Sequence, residues 1–268
     1  MTSVDGPAGR IAIISALHEE LSALLAVLSS EGRAVDHRAG QSQRVHIAGR
    51  EFCLGQLAGR EVVLVLSKVG KVAAATTATV LAERLGVTAM LFTGVAGGLG
   101  SDVRVGDVVV ASQFLQHDMD ASPLFARHEV PLYGRSRFEA DTHLCATLIQ
   151  ASKDTLANLA GTISADAVAE FALHRPRVHQ GLVISGDRFV STSHESRALS
   201  HELPDAQAVE MEGAAIAQVC HDFGLPFAAV RTISDRADDA AHSDFTRFIT
   251  AVASRYSAAI IQRALPLF

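Results

Sequence analysis

Three stretches of the chain place ionisable or glycine-rich segments directly after short apolar runs. The first is Ala16-Leu17-His18-Glu19-Glu20, which follows Ile11–Ile14. The second is Phe92-Thr-Gly-Val-Ala-Gly-Gly-Leu99. The third is a pair, Ala208-Val-Glu-Met-Glu212 and Arg231-Thr-Ile-Ser-Asp235. Open α/β sheets bind ligands beyond the carboxyl ends of their strands, so all three stand where chemistry is done in such folds. Each also has a plain structural account. Acidic residues opening a helix complement its dipole without reacting with anything. Glycines that let backbone N–H groups approach an anion or a sugar also serve ordinary packing. The glycine pattern is neither G-x-G-x-x-G nor a P-loop. Glu210 and Glu212 interrupt a strand pattern, and Arg231 and Asp235 flank the end of an apolar strand. Charges in buried strands are costly unless paired, a cost that a structural Arg–Glu pair would meet. Two strands that each deliver carboxylates to one edge point instead to a site.

The elements that must position these residues are legible as alternating patterns. Ile11–Ile14, Val62–Leu66, Ala89–Thr93, Asp107–Ser112, Gly181–Ser185, Ala208–Glu212 and Phe227–Ile233 are apolar runs of strand length. Val45–Ile47 and Glu51–Leu57 form a hairpin around Ala48-Gly49-Arg50. Helical spacing runs through Glu19–Leu28, Lys71–Leu85, Asp141 to about Leu159, Gly213–Phe223 and Phe245–Ala264. Gly86 and Gly224 act as stops. Strand–helix alternation predicts an α/β fold, a three-layer α/β/α sandwich around a mixed, mostly parallel sheet. Residues 11–268 read as one domain behind a flexible tail of residues 1–10. Ser122–Arg137 reads as a second mobile segment.

Composition narrows the function. The 268 residues carry 23 Lys and Arg against 29 Asp and Glu, a net charge of −6, with no basic block. Neither a nucleic-acid backbone nor an anionic membrane surface suits such a chain. Cys53, Cys145 and Cys220 are far apart, which excludes a disulfide framework and a Cys-rich zinc site. The first ten residues lack the apolar core of a signal peptide, and Val72–Ala82 is too short to span a bilayer. The expectation is a soluble, cytoplasmic protein.

Taken together, IAIISALHEEL, SKVGKVAAA, TGVAGGL, VGDVVVASQFLQHDMD, GLVISGDRFV, AVEMEGAAIAQVC and FAAVRTISDRAD…HSDF resemble the 5'-methylthioadenosine/S-adenosylhomocysteine nucleosidases of the nucleoside phosphorylase superfamily. GD-x-F, EMEGAA and R-x-ISD are highly specific as a set. The resemblance implies that Glu20 activates the attacking water, that Glu212 grips the ribose 2'-hydroxyl, and that Asp235 protonates adenine N7. It implies that Phe189 stacks on the purine and that the main chain of Val190 reads its edge. Met211 would pack on the ribose, Arg231 would steady the water and carboxylate network, and Phe245 would wall the 5'-alkylthio pocket. Ser234, Ala96 and Gly97 join the substrate-binding surface on the same basis. No metal or organic cofactor is implied, and the partners are a small nucleoside and a second copy of the chain in a homodimer.

The chemistry requires these residue types in any case. An N-glycosidic bond breaks through a cation-like ribose, much as glycosides do. The base leaves once N7 gains a proton from an acid, and a water on the opposite face needs a base. The chain departs from the pattern at Val95, where the family carries Ser or Thr, at Lys68-Val-Gly-Lys-Val72, and at Leu124 or Phe125 in the loop that follows His117-Asp118-Met-Asp120. A hydroxyl at position 95 helps phosphate-dependent relatives bind phosphate, so Val95 favours hydrolysis over phosphorolysis. His117, Asp118 and Asp120 are expected to form a structural hydrogen-bonded cluster near the dimer interface and not a metal site.

Overall fold

The computed structural model describes residues 9–34, 43–237 and 245–268. The expected tail therefore lies outside the described residues up to position 8, as do His242, Ser243 and Asp244 of the HSDF stretch. Gly9 is described, and Arg10 already opens the first strand.

The core is a ten-stranded mixed sheet. At its centre β1 (Arg10–Ser15) lies parallel between β4 (Arg60–Leu66) and β5 (Val87–Gly98). Ile11–Ile14 and Val62–Val65 are buried, as continuous apolar runs covered on both faces must be. On one side β4 continues antiparallel through β3 (Arg50–Leu57) to β2 (Gln43–Ile47). The β2–β3 turn at Ala48 and Gly49 has positive φ at both positions, 51° and 71°, the backbone that matches strand twist in a tight hairpin.

On the other side the sheet closes on itself. β5 pairs in parallel with β10 (Phe227–Asp235), which runs antiparallel to β6 (Val108–Gln116). β6 pairs with β8 (Val178–Ser185), β8 with β9 (Ala206–Glu210), and β9 returns to β5 through Gly97 and Gly98. Short β7 (Arg137–Glu139) adds to the edge of β6. Two groups of helices pack on the sheet. α1 (His18–Ala34) and α3 (Thr142–Ala157) both contact α8 (Ser254–Ala264), and α2 (Lys71–Arg84) packs on α6 (Gly213–Phe223). Gly86 and Gly224 stand just past α2 and α6 with φ of 63°, as their reading as helix stops required.

Several expectations are corrected. β5 does not stop at Thr93 but runs on through Gly98, so the glycine cluster is extended strand. β9 stops at Glu210 rather than Glu212, because the Glu210 carboxylate accepts the N–H groups of Glu212 and Gly213 and bends the chain into α6. The closing helix is interrupted. α7 (Phe245–Phe248) passes through a π turn at Ile249–Ala253 before α8. Two further helices, α4 (Ala165–Glu170) and α5 (Ser193–Glu202), carry little apolar periodicity and escaped the sequence reading. Ser122–Arg137 is tied to its own domain. Val130 pairs with Arg135, His128 donates its N–H to the Met119 carbonyl at 2.9 Å, and the Tyr133 hydroxyl donates to Asp222 at 2.8 Å. Leu124 and Leu132 in this segment remain 84% and 92% exposed.

Leu24 on α1 is completely buried against the sheet. Leu24→Ala should cost about 2–5 kcal/mol of stability in urea denaturation. A loss below about 1 kcal/mol would mean that α1 collapses onto the space and is not held rigidly.

Candidate active site

The pocket opens where β5, β9 and β10 meet, beside the start of α1. Its wall contains Glu20, Ala96, Gly97, Phe189, Val190, Met211, Glu212, Ser234, Asp235 and Phe245, all expected there from sequence. Arg231 is the exception. It lies beneath the wall, 1% exposed.

Arg231 is held by two contacts of different kinds. Its Nη2 donates to Glu210 Oε2, and its guanidinium carbon sits 3.6 Å from the centroid of the Phe92 ring. Nη2 is also 3.7 Å from Glu212 Oε2. Nε and Nη1 are buried without a hydrogen-bond partner. Glu210 is saturated from several directions, since it also accepts from the Ser185 hydroxyl and from the N–H groups that open α6. The pair is thus the structural Arg–Glu contact that sequence reasoning weighed, with Glu210 itself on the pocket lining and Arg231 behind it.

Glu20 is buried, and its carboxylate accepts three backbone N–H groups. Ala16 and Leu17 donate to Oε2 and Val95 donates to Oε1, each at 2.9 Å. Burial raises its pKa, and the field of Arg231 together with these N–H groups only partly offsets that, so the carboxyl remains above its ordinary value. This is the environment of a group able to take a proton. A Cβ on Gly94 would lie 2.4 Å from Glu20 Oε1 and 2.7 Å from Arg231 Nη1, so glycine alone lets both approach the strand.

Glu212 occupies the N-cap of α6 but caps nothing with its side chain. Instead its Oε1 accepts the N–H of Gly70 at 2.8 Å. Burial, reinforced by the nearby charge of Glu210, pushes it up to about 8 despite Arg231. Asp235 ends β10. Its Oδ2 accepts from the Ser234 hydroxyl and its Oδ1 from the Ala237 N–H, both at 2.7 Å. Phe189 is 40% exposed, and its ring meets that of Phe245 edge-on at 6.0 Å.

Gly70, Ser185 and Arg188 also belong to this neighbourhood but were not singled out from sequence. Gly70 stood in the KVGKV stretch and Ser185 at the end of an apolar run, weak signals by themselves. Arg188 lines the pocket and pairs with Glu195. His117, Asp118 and Asp120 do not converge. Asp118 binds Lys71, while Asp120 accepts the Ser122 N–H at 3.0 Å. Among the described residues no group of three or more His, Cys, Asp or Glu is arranged to hold a metal ion. Nor, among them, is any helix long and apolar enough to cross a membrane.

A family model described as the phosphorylase superfamily matches residues 10–266. The chain belongs to the phosphorylase superfamily. Solved members superpose over nearly its whole length. A 5'-methylthioadenosine/S-adenosylhomocysteine nucleosidase from Neisseria meningitidis, in complex with methylthio-immucillin-A, is 30% identical, with 97% of this chain and 99% of that one covered at a TM-score of 0.80. A futalosine hydrolase of Helicobacter pylori is 29% identical over 97% and 99%, also at 0.80. A nucleosidase from Streptococcus pneumoniae in complex with 8-aminoadenine is 30% identical over 97% and 100%, at 0.79. The expected nucleoside phosphorylase-like architecture is therefore the observed one.

The displaced pKa of Glu212 has a consequence for stability. In the folded superfamily domain the group keeps its proton to about 8, whereas an ordinary Glu releases it near 4.5. Between those values the folded state binds more protons than the unfolded chain, so this group costs stability as pH rises. Glu212→Gln removes that cost. In urea titrations the variant should gain on the wild type steadily from about pH 5 to pH 8. A difference that stays constant across that window would contradict the shift.

Proposed function

We propose that the protein hydrolyses the N-glycosidic bond of adenine nucleosides carrying a 5'-thio substituent, 5'-methylthioadenosine and S-adenosylhomocysteine among them. Adenine and a 5-thioribose derivative are the products. The observation that carries this reading is the convergence of Glu20, Glu212 and Asp235 on one pocket, each held differently, with Phe189 and Phe245 beside them. The likeness to solved nucleosidases at 30% identity supports it.

In this reading the purine stacks on Phe189, and the main chain of Val190 reads its edge. Asp235, steadied by Ser234 and the Ala237 N–H, delivers a proton to N7 so that adenine leaves neutral. Glu212 takes the ribose 2'-hydroxyl, and Met211 packs against the sugar. Glu20 faces the attacking water and removes its proton. Arg231 acts from behind the wall, fixing Glu210 and tempering the charge on Glu20. Ala96 and Gly97 leave room for the ribose close to the strand.

Water, and not phosphate, is the nucleophile. Phosphorolysis needs several donors and positive charge converging on a dianion. At Val95 the backbone N–H is already given to Glu20, and the side chain has no hydroxyl. A carboxylate there repels a phosphate dianion but accepts a proton from water. A hydrolase of another purine nucleoside on the same fold is the second reading, which the 29% identity to futalosine hydrolase favours.

Two assays test this. Methylthioadenosine, S-adenosylhomocysteine, futalosine, adenosine and inosine, with and without phosphate, should give free thioribose from the 5'-thio substrates and no sugar 1-phosphate. A preference for futalosine would move the chain to the second reading, and sugar phosphate would defeat both. Asp235→Asn and Glu20→Gln should each lower kcat by about 10²-fold or more. Glu20→Gln should leave nucleoside binding largely intact, because it touches the water and not the base. Near-normal turnover by either variant would remove that residue from its role.

A homodimer is part of the same proposal. Exposed Leu124 and Leu132 on the 122–137 segment, with Val69 and Val72 at the start of α2, offer apolar surface for a second copy to cover. Light scattering at micromolar concentration should give twice the 28.3 kDa of the chain, and a monomer mass would refute it.

A further inference from the structure

Three charged side chains outside the pocket close a ring behind Glu212. Lys71, the first residue of α2, donates its backbone N–H to Asp187 Oδ1 at 2.7 Å. The Asp187 N–H donates to Asp118 Oδ2 at 2.9 Å. Asp118 Oδ1 in turn receives the Lys71 ammonium at 2.5 Å, and that ammonium also lies 3.9 Å from Asp187 Oδ2. The ring joins three segments that are remote in sequence: the start of α2, the residues just after β6, and the loop after β8 that carries Phe189 and Val190.

Gly70 sits inside this ring as the N-cap of α2, with φ 94° and no side chain to cap the helix. Asp187 supplies the missing cap from across the fold. A Cβ on Gly70 would stand 3.1 Å from Asp187 Oδ1, and its φ is one that residues with a Cβ rarely adopt. The peptide N–H of Gly70 then points at Glu212 Oε1, 2.8 Å away. Burial works against ionisation of Asp118, but the hydrogen bonds from Lys71 and the Asp187 N–H outweigh it and hold the carboxyl below its ordinary value. The Asp118 carboxylate therefore holds its two donors near neutral pH.

We propose that Lys71, Asp118 and Asp187 are positioning residues that aim the Gly70 N–H at Glu212, and so set how well the enzyme senses the ribose 2'-hydroxyl. The proposal rests on the ribose role assigned to Glu212 above. None of the three touches substrate. They act by fixing one carboxylate rotamer and by keeping the ribose contact in register with the purine-stacking loop, which hangs from the same ring.

The test compares 5'-methylthioadenosine with its 2'-deoxy counterpart, by turnover or by competition, in the wild type and in Lys71→Met, Asp118→Asn and Lys71→Arg. In Lys71→Met and Asp118→Asn, kcat/KM for the ribonucleoside should fall about tenfold, the scale of one lost hydrogen bond. The 2'-deoxy compound should change by less than about threefold, because it has no hydroxyl for Glu212 to hold. Lys71→Arg, which keeps the charge and the reach, should retain most of the preference. Asp118→Asn is nearly isosteric and gives the same readout should Lys71→Met fold poorly. Equal losses on both substrates at unchanged Tm would mean a merely structural ring and overturn the proposal, as would no loss at all. Wild type that turns over the ribonucleoside without sensing the 2'-hydroxyl would remove the role of Glu212 and this proposal with it. Wild type inactive on every adenine nucleoside would instead overturn the functional reading itself.

Discussion

The ion pair between Arg231 and Glu210 is the contact on which the pocket depends. Taking a guanidinium and a carboxylate out of water costs several kcal/mol for each ion, and the cost is recovered only when geometry and additional hydrogen bonds are good. Here Glu210 is over-supplied with donors, and Arg231 lies on the face of Phe92. The same carboxylate bends the chain from β9 into α6. One buried charge thus ends a strand, starts a helix and places Glu212 two residues later on the pocket wall. Glu20 reaches the arginine from another direction, through a strand that has no Cβ at Gly94 to keep it away.

Closure of half the sheet explains why these residues meet. β9 and β10 pair with opposite edges of the far half of β5, so the ends of both strands face a common space. An open sheet would leave Glu212 and Asp235 at separate strand ends. The closure needs β5 to stay extended through its glycines, where other strands come close. Gly97 is an example, since a Cβ there would be 2.9 Å from that of Ala237.

Three carboxylates in one pocket take different characters from their surroundings. Glu20 accepts three backbone N–H groups and feels a cation, yet burial keeps it above its ordinary value. Glu212 has one N–H, an arginine 3.7 Å away and a negative neighbour, and is pushed up to about 8. Asp235 is oriented by a hydroxyl and an N–H at the pocket rim. Environments that separate otherwise similar acids are how one site assigns proton donors and acceptors.

Much of this was legible in residue order alone. The apolar runs at Ile11–Ile14, Val62–Leu66 and Phe227–Ile233 mark buried strands because only strands covered on both faces are apolar without alternation. Gly86 and Gly224 end helices because a left-handed residue closes them at little cost. Motifs around Glu20, Glu212 and Asp235 point to one pocket wall, because carboxylates at the ends of buried strands are costly unless paired or put to use. What residue order does not contain is which strands pair. That Gly94–Gly98 stays extended and that Arg231 lies on Phe92 follow from contacts more than a hundred residues apart along the chain, and the place of Glu210 follows from its meeting with Arg231 on β10 and Ser185 on β8. The Lys71–Asp118–Asp187 ring belongs to the same class. Each of its members alone is an ordinary surface charge, and only the approach of α2, β6 and the loop after β8 makes a closed circuit of them. Local pattern determines what each segment can be, whereas desolvation and pairing, which depend on neighbours in space, decide what its charges do.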